Sequence, residues 1–192
     1  MIKDPSVVII GSGPGGFYVA EAITKKLNSD IDIIDRLPTP FGLIRSGVAP
    51  DHQNTKKIIA RYTNTAKKEQ IRFFGNIEIG RDFSIEELRN IYDVVILATG
   101  LELDKKLEIK GSDLKGVFGS AEFVGWYNGH PDYVNLDPNL NTNNVVVIGN
   151  GNVAIDIVRV LSKTSEEMTE SDIPEYALNT LIQSPIKNIH IV

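Results

Sequence analysis

Read as a pattern of apolar and polar positions, the chain opens on a four-residue apolar run, Val7 to Ile10. It passes straight into a cluster of glycines and then into helical spacing with Phe17, Ala20, Ile23 and Leu27 on one face. A second apolar run, Ile31 to Ile34, follows, so the opening predicts strand, helix, strand. The stretch Arg36 to Gln53 has little periodicity, three prolines and two glycines, yet Phe41, Leu43, Ile44 and Val48 argue for an ordered binding loop. Helical spacing returns with Ile58, Ile59, Tyr62 and Ala66, and a strand or strand pair is expected over Ile71 to Phe74 and Ile77 to Ile79. Ser84 with Glu87 three residues on matches a capping box that starts a short helix. Asp93 to Gly100 then reads as a buried parallel strand ending in small residues. Strands alternating with helices predict an α/β fold with a doubly wound parallel sheet.

From Leu101 to Asn144 the periodicity fades. A short strand and helix are expected over Val117 to Trp126 and a turn-rich linker over Leu136 to Asn144. The opening pattern then returns: an apolar run, Val145 to Ile148, leads into Gly149-Asn-Gly-Asn-Val-Ala154 and a helix with Val153, Ala154, Ile157, Val158 and Leu161 on one face. A short helix through Tyr176 to Ile182 and a strand over Ile186 to Val192 close the chain. Two Rossmann-like nucleotide-binding domains are therefore expected, both incomplete. The first occupies residues 1–105, a linker residues 106–144, and the second residues 145–192.

Composition narrows the chemistry. With 192 residues and 42% hydrophobic residues, a sizeable core is available. The net charge of -5, with no basic cluster interleaved with aromatics, argues against nucleic acid as a partner. No cysteine is present, which removes disulfides, thiolate metal sites and a thiol nucleophile from this chain, so redox chemistry must come from an organic cofactor. No apolar run approaches the ~18 residues of a transmembrane helix. The first strand starts close to Met1, which predicts either a protein that stays in the cytoplasm or one whose presequence is missing.

The glycine turns are the candidate chemistry. Gly11 permits the tight turn, Gly13 and Gly15 leave no Cβ between backbone and a pyrophosphate, and Gly16 lets the helix pack close to the sheet. Asp35, at the end of the second strand, stands where a carboxylate accepts hydrogen bonds from the ribose hydroxyls of an adenosine. Gly149 and Gly151 repeat the turn 138 positions later, with Ala154 in the third place. Two dinucleotide sites suggest a flavoenzyme that takes hydride from a nicotinamide.

Three longer motifs make the likeness specific. Pro40 to His52 (PFGLIRSGVAPDH), Phe123 to Gly129 (FVGWYNG) and Gly149 to Asp156 (GNGNVAID) resemble the adrenodoxin reductase family, flavoproteins that act as ferredoxin-NADP reductases. The resemblance extends over essentially the whole chain and implies two cofactors, FAD and NADP. It places FAD on Gly11, Gly13, Gly15, Gly16 and Asp35, with Leu43 along the flavin side and Ile79 beside the adenine. It places NADP on Gly149, Asn150, Gly151, Asn152 and Val153. The family usually has Glu at position 35, so an Asp there makes a longer or water-bridged ribose contact. His52 ends the long loop, and Asp156 shares a helix face with Asn152; in the family both positions lie near the flavin and handle hydride or protons. A structural hydrogen bond for His52 and a dipole partner's role for Asp156 remain open alternatives.

The implied partner is a ferredoxin- or adrenodoxin-type iron-sulfur protein, and the implied compartment is the mitochondrion or a related organelle. In the family the nicotinamide domain is inserted into the FAD domain, and a later return of the chain completes the flavin site. The resemblance therefore implies that these 192 residues hold FAD weakly or not at all by themselves. A non-catalytic dinucleotide-binding module and a flavoprotein with another acceptor, such as a quinone, are the alternatives.

Overall fold

The computed structural model of the chain describes residues 4–101, 103–105 and 107–192. Its elements run β1 (Val7–Ile10), α1 (Pro14–Thr24), β2 (Ile31–Ile34), α2 (Leu43–Ser46), α3 (Gln53–Lys56), α4 (Ile59–Ala66), β3 (Ile71–Phe74), α5 (Ile85–Ile91), β4 (Val94–Leu97) and α6 (Ser120–Tyr127). They continue with β5 (Asn144–Val147), α7 (Asn152–Ser162), α8 (Glu175–Ile182) and β6 (Asn188–Ile191), with 3-10 turns at Pro131–Tyr133 and Glu166–Met168.

The chain divides into two compact units, Met1–Arg45 with Thr55–Leu101 and Ser46–Asn54 with Glu102–Val192. This differs from boundaries near residues 105 and 144 in two respects. Residues 46–54 join the second unit because Ala49 is buried in its apolar core and Asp51 is ion-paired to α7. The region expected as linker contains α6, whose Phe123, Val124, Trp126 and Tyr127 are part of that same core. Trp126 and Tyr127 are almost fully buried there.

In the first unit four parallel strands are ordered β3-β2-β1-β4, with Val7 opposite both Ile31 and Val94, and Ile31 opposite Ile71. β1 and β2 are apolar almost throughout because helices cover both faces. Val7, Ile9, Ile31 and Ile33 pack with Phe17 and Ala20 of α1 and Tyr62 of α4, while Val8, Ile10 and Ile34 pack with Leu88 of α5. The exception is Asp32, a buried carboxylate on β2. Arg72 grips it through two bonds of 2.7 and 2.9 Å, and the Tyr92 hydroxyl donates to it at 2.6 Å. Ser84 and Glu87 form the expected capping box at the start of α5.

Several local expectations change. α1 ends at Thr24, so Leu27 lies outside it and is exposed. β4 is an edge strand paired only with β1 among the described residues, which leaves Val94 and Leu97 exposed instead of buried. At 77–79 there is one isolated bridge, Ile79 to Phe83, and no strand precedes α6 at Val117.

In the second unit β5 and β6 pair in parallel, Val145 opposite Ile189, and α6, α7 and α8 enclose the core. Ile157 and Val160 are the buried residues of α7, whereas Val153 is exposed. Phe17→Ala, which removes a ring stacked on Tyr62 at 5.3 Å, is expected to destabilise by ~3–5 kcal/mol. Leu27→Ala is expected to stay within ~0.5 kcal/mol of the parent. Urea unfolding of the two variants measures both.

Candidate functional site

The first glycine turn is built from close backbone approach. The Gly11 N–H donates to the carbonyl of Ile34 at the end of β2, at 2.8 Å. Gly11 has φ +108, and a Cβ there would collide with the carbonyl oxygen of Ala98 beyond β4. A Cβ at Gly16 would collide with the Gly11 carbonyl oxygen, so the first turn of α1 rests directly on the strand end. Gly13 and Gly15 differ: added Cβ atoms there would find nothing closer than 4.0 and 3.8 Å. Backbone is therefore laid bare at 13 and 15 and packed tight at 11 and 16.

The loop after β2 closes over this turn. The Phe41 N–H donates to the Ser12 carbonyl at 2.9 Å, and Phe41 adopts φ +93, which is costly for a bulky residue. Its ring is buried against Phe17 at 5.2 Å, and this packing holds the strained backbone. Gly42 follows with φ +48, its backbone so near Gly13 that a Cβ would lie 2.9 Å from the Gly13 Cα. Leu43 begins α2 and is 61% exposed. Arg45 bonds the Pro40 carbonyl at 3.1 Å and lies over the Phe41 ring. Ile79 is half-buried beside the cluster of Ile10, Ile34 and Leu88.

Asp35 is tied to the turn. Its Oδ2 accepts from the Ser12 N–H at 2.8 Å and the Ser12 hydroxyl at 2.5 Å, and its Oδ1 accepts from the Leu37 N–H at 2.9 Å. Ser12, fully buried, is a participant that the glycine pattern does not reveal.

The second turn repeats the geometry. The Gly149 N–H donates to the carbonyl of Val192 just past β6 at 2.8 Å, as Gly11 does to Ile34, and Gly149 has φ +121. The Ile155 N–H donates to the Gly151 carbonyl at 3.1 Å, as Phe17 does to Gly13. Gly151 has nothing within 4 Å of an added Cβ, and Asn150, Asn152 and Val153 are exposed.

Both helices that leave these turns have bare N-termini. α1 and α7 have no side-chain cap and no acidic residue in the first turn. α5 and α6 are the contrast: α5 has Ser84 with Glu86 and Glu87, while Glu122 and Asp104 accept from backbone amides of α6. The first N–H groups of an α-helix have no partner within the helix, and together with its dipole they suit an anion.

His52 and Asp156 come together within the second unit, with Nδ1 3.8 Å from Oδ2. Asp156 Oδ1 accepts from Arg159 Nη1 at 2.6 Å. The same guanidinium donates Nε and Nη2 to the two oxygens of Asp51, each at 2.9 Å, and Lys163 reaches Asp51 at 2.7 Å. Hydrogen bonding from Arg159 holds the Asp51 carboxyl well below the usual carboxylate range, with Lys163 adding to it against the opposing effect of burial. Arg159 is pushed up by the same contacts. The Tyr127 hydroxyl is buried with no hydrogen-bond partner, and burial, assisted by the charge of Asp156, pushes its phenol up. Neither Arg159 nor Asp51 is among the residues expected from the sequence: the i+3 spacing of Arg159 from Asp156 is a signal on the helix, whereas nothing local marks Asp51, 108 residues from Arg159. Among the described residues no group of three or more His, Asp or Glu is placed to hold a metal, and no helix is long and apolar enough to cross a membrane.

Two predictions follow from the turn and the ion pairs. Gly15→Ala is expected to fold with the parent's stability, whereas Gly16→Ala is expected to lose ~2 kcal/mol or more through overpacking against backbone, read by urea unfolding. Asp51 has its folded-state pKa depressed, so its stabilisation is present above the unfolded value of ~3.9 and lost as pH falls below it. The thermal midpoint should therefore fall more steeply below about pH 4 in the parent than in Asp51→Asn.

The family model described as "Pyridine nucleotide-disulphide oxidoreductase" matches residues 5–183. The chain is 48% identical over 188 residues to the mitochondrial NADPH:adrenodoxin oxidoreductase of Arabidopsis thaliana and 43% identical over 190 residues to that of Homo sapiens. It covers 97% and 99% of itself, and 39% of each relative. The NADPH-ferredoxin reductase FprA of Mycobacterium leprae is 42% identical, with 97% of this chain and 42% of that protein covered. The solved structure of Mycobacterium tuberculosis FprA in complex with NADPH superposes with a TM-score of 0.95 at 40% identity, over 98% of this chain and 43% of that one. The chain thus spans about two fifths of the length of these relatives. With 179 of its residues inside one family's pattern, it belongs to the pyridine nucleotide-disulphide oxidoreductase family.

Proposed function

We propose that the chain forms the paired dinucleotide-binding portion of an NADPH-dependent flavoprotein reductase. The supporting observation is the repeated turn: bare glycine backbone at the carboxyl end of a parallel strand, leading into a helix with neither cap nor acidic first turn. In this reading the first unit takes the pyrophosphate of FAD on Gly11, Gly13, Gly15 and Gly16. The second takes NADP on Gly149, Asn150, Gly151, Asn152 and Val153. The residues fit the groups, because the open positions 13, 15 and 151 are the ones a phosphate must approach.

Asp35 keeps acceptor capacity at Oδ1 for a ribose hydroxyl while its Oδ2 braces the turn through Ser12. Leu43, exposed on α2, offers apolar surface to the flavin side, and Ile79 does so to the adenine. When bound, the reduced nicotinamide would supply a hydride and the flavin would accept it and pass its two electrons on one at a time. His52 handles the accompanying proton, with Asp156 facing its Nδ1 at 3.8 Å.

The acceptor is a ferredoxin- or adrenodoxin-type iron-sulfur protein, a reading supported by the names of the relatives. The plant and animal relatives are named mitochondrial while FprA is bacterial, and we assign this protein to a mitochondrion or related organelle on the eukaryotic likeness.

Anaerobic mixing tests this in the flavin-loaded protein that contains these residues. NADPH is expected to bleach the flavin band rapidly. Gly13→Val should lose flavin, and Gly151→Val should keep flavin while weakening NADPH by about ten-fold or more, equivalent to ~1.4 kcal/mol. Retention of flavin by Gly13→Val, or bleaching by NADPH that Gly151→Val leaves unchanged, would overturn the assignment.

A further inference from the structure

The ion-pair cluster around α7 does something that the glycine turns do not explain. One guanidinium, Arg159, serves two carboxylates from different parts of the chain. Nε and Nη2 form a fork on Asp51, and Nη1 reaches Asp156. The Asp51 side chain is 93% withdrawn from water, since only 7% of it is exposed, and Lys163 supplies a second cation. Two carboxylates thus face one guanidinium and one ammonium. A bidentate fork fixes orientation as well as distance. His52 is the residue after Asp51, so the fork holds its backbone beside α7.

The rest of the segment is tied down by weaker means. Ala49 is buried in the core, the His52 N–H donates to the Ala49 carbonyl at 2.9 Å, and the Pro50 carbonyl accepts from Gln53 at 2.7 Å and from the Asp172 N–H at 3.3 Å. The resulting 3.8 Å between His52 and Asp156 is too long for a hydrogen bond, and the other Asp156 oxygen is committed to Arg159. Arg159 thus sets both partners of the pair, one directly and one through Asp51. The Tyr127 hydroxyl on α6 is buried and has no hydrogen-bond partner, so it takes none of the carboxylate oxygens of the cluster.

We propose that Arg159 and Asp51 are positioning residues, whose fork fastens the Ser46–Asn54 segment to α7 and sets the separation at which His52 meets Asp156. This rests on the reading of His52 and Asp156 as the proton-handling pair.

The test follows the His52 ring signals by NMR in the 192-residue chain. Asp156→Asn is expected to move these signals in the parent background. In the Asp51→Asn background the same change should no longer move them, because the segment has left α7. Arg159→Lys, which keeps the charge but not the fork, should also abolish the response, and it serves if Asp51→Asn does not fold. Lys163→Met, which removes a cation without touching the fork, should preserve the response. A merely structural ion pair would lower the thermal midpoint in Asp51→Asn and Arg159→Lys yet leave the response to Asp156→Asn intact, and that result overturns the proposal. So does a parent chain in which Asp156→Asn leaves the His52 signals unmoved. No nucleotide or flavin enters this measurement, so its failure is separate from failure of NADPH to bleach the flavin.

Discussion

The carbonyl oxygen of Gly11 stands where a side chain at position 16 would begin. That exclusion governs the first unit. It lets α1 rest on the end of β1, which brings Phe17 and Ala20 down onto Val7, Ile9, Ile31 and Ile33 and buries them together. It also brings the uncapped first turn of α1 to the strand ends, where its unpaired amides and dipole favour an anion. The Ala98 carbonyl, close enough to exclude a Cβ at Gly11, fixes the same turn from the β4 side. The packing that stabilises the sheet and the geometry proposed to receive a phosphate are thus one arrangement. A residue larger than glycine at position 16 would disturb both.

Much of this was legible because it is local. The strands Val7–Ile10 and Ile31–Ile34, the turn between β1 and α1, and the Ser84–Glu87 capping box are each written within about ten residues, and each forms as expected. What periodicity does not encode is which distant segments meet. Asp35 spends its Oδ2 on Ser12, 23 residues back, and Asp51 pairs with Arg159, 108 residues on. The burial of β4 was overread for the same reason, since an apolar run looks alike in a central strand and at an edge. Leu27 kept helical spacing in the sequence, but α1 had already ended at Thr24. The segment 46–54 takes in the second half of the expected binding loop yet belongs with the second unit, because a buried alanine and a forked ion pair outweigh its neighbours in the chain.

The two glycine turns share a plan but differ in detail. In each, the first glycine N–H is bonded to the carbonyl at the end of the adjacent strand, and the helix begins on an extended glycine. The third position is Gly16 in the first turn and Ala154 in the second. The first turn is also braced by Asp35 and closed over by the Phe41–Gly42 corner, while α7 has Asp156 and Arg159 one turn further on. The His52–Asp156 pair is therefore carried by the second unit, where His52 arrives on the segment held by Arg159.

The central claim is that each turn receives its own dinucleotide, and backbone amide NMR of the chain during separate titrations with FAD and NADP tests it most directly. The account predicts that NADP moves the amides of Gly149 to Ala154 and leaves Gly11 to Phe17 in place, and that any FAD binding, however weak, does the reverse. NADP moving the first turn, both ligands moving the same turn, or saturable binding of either that moves neither turn would contradict it.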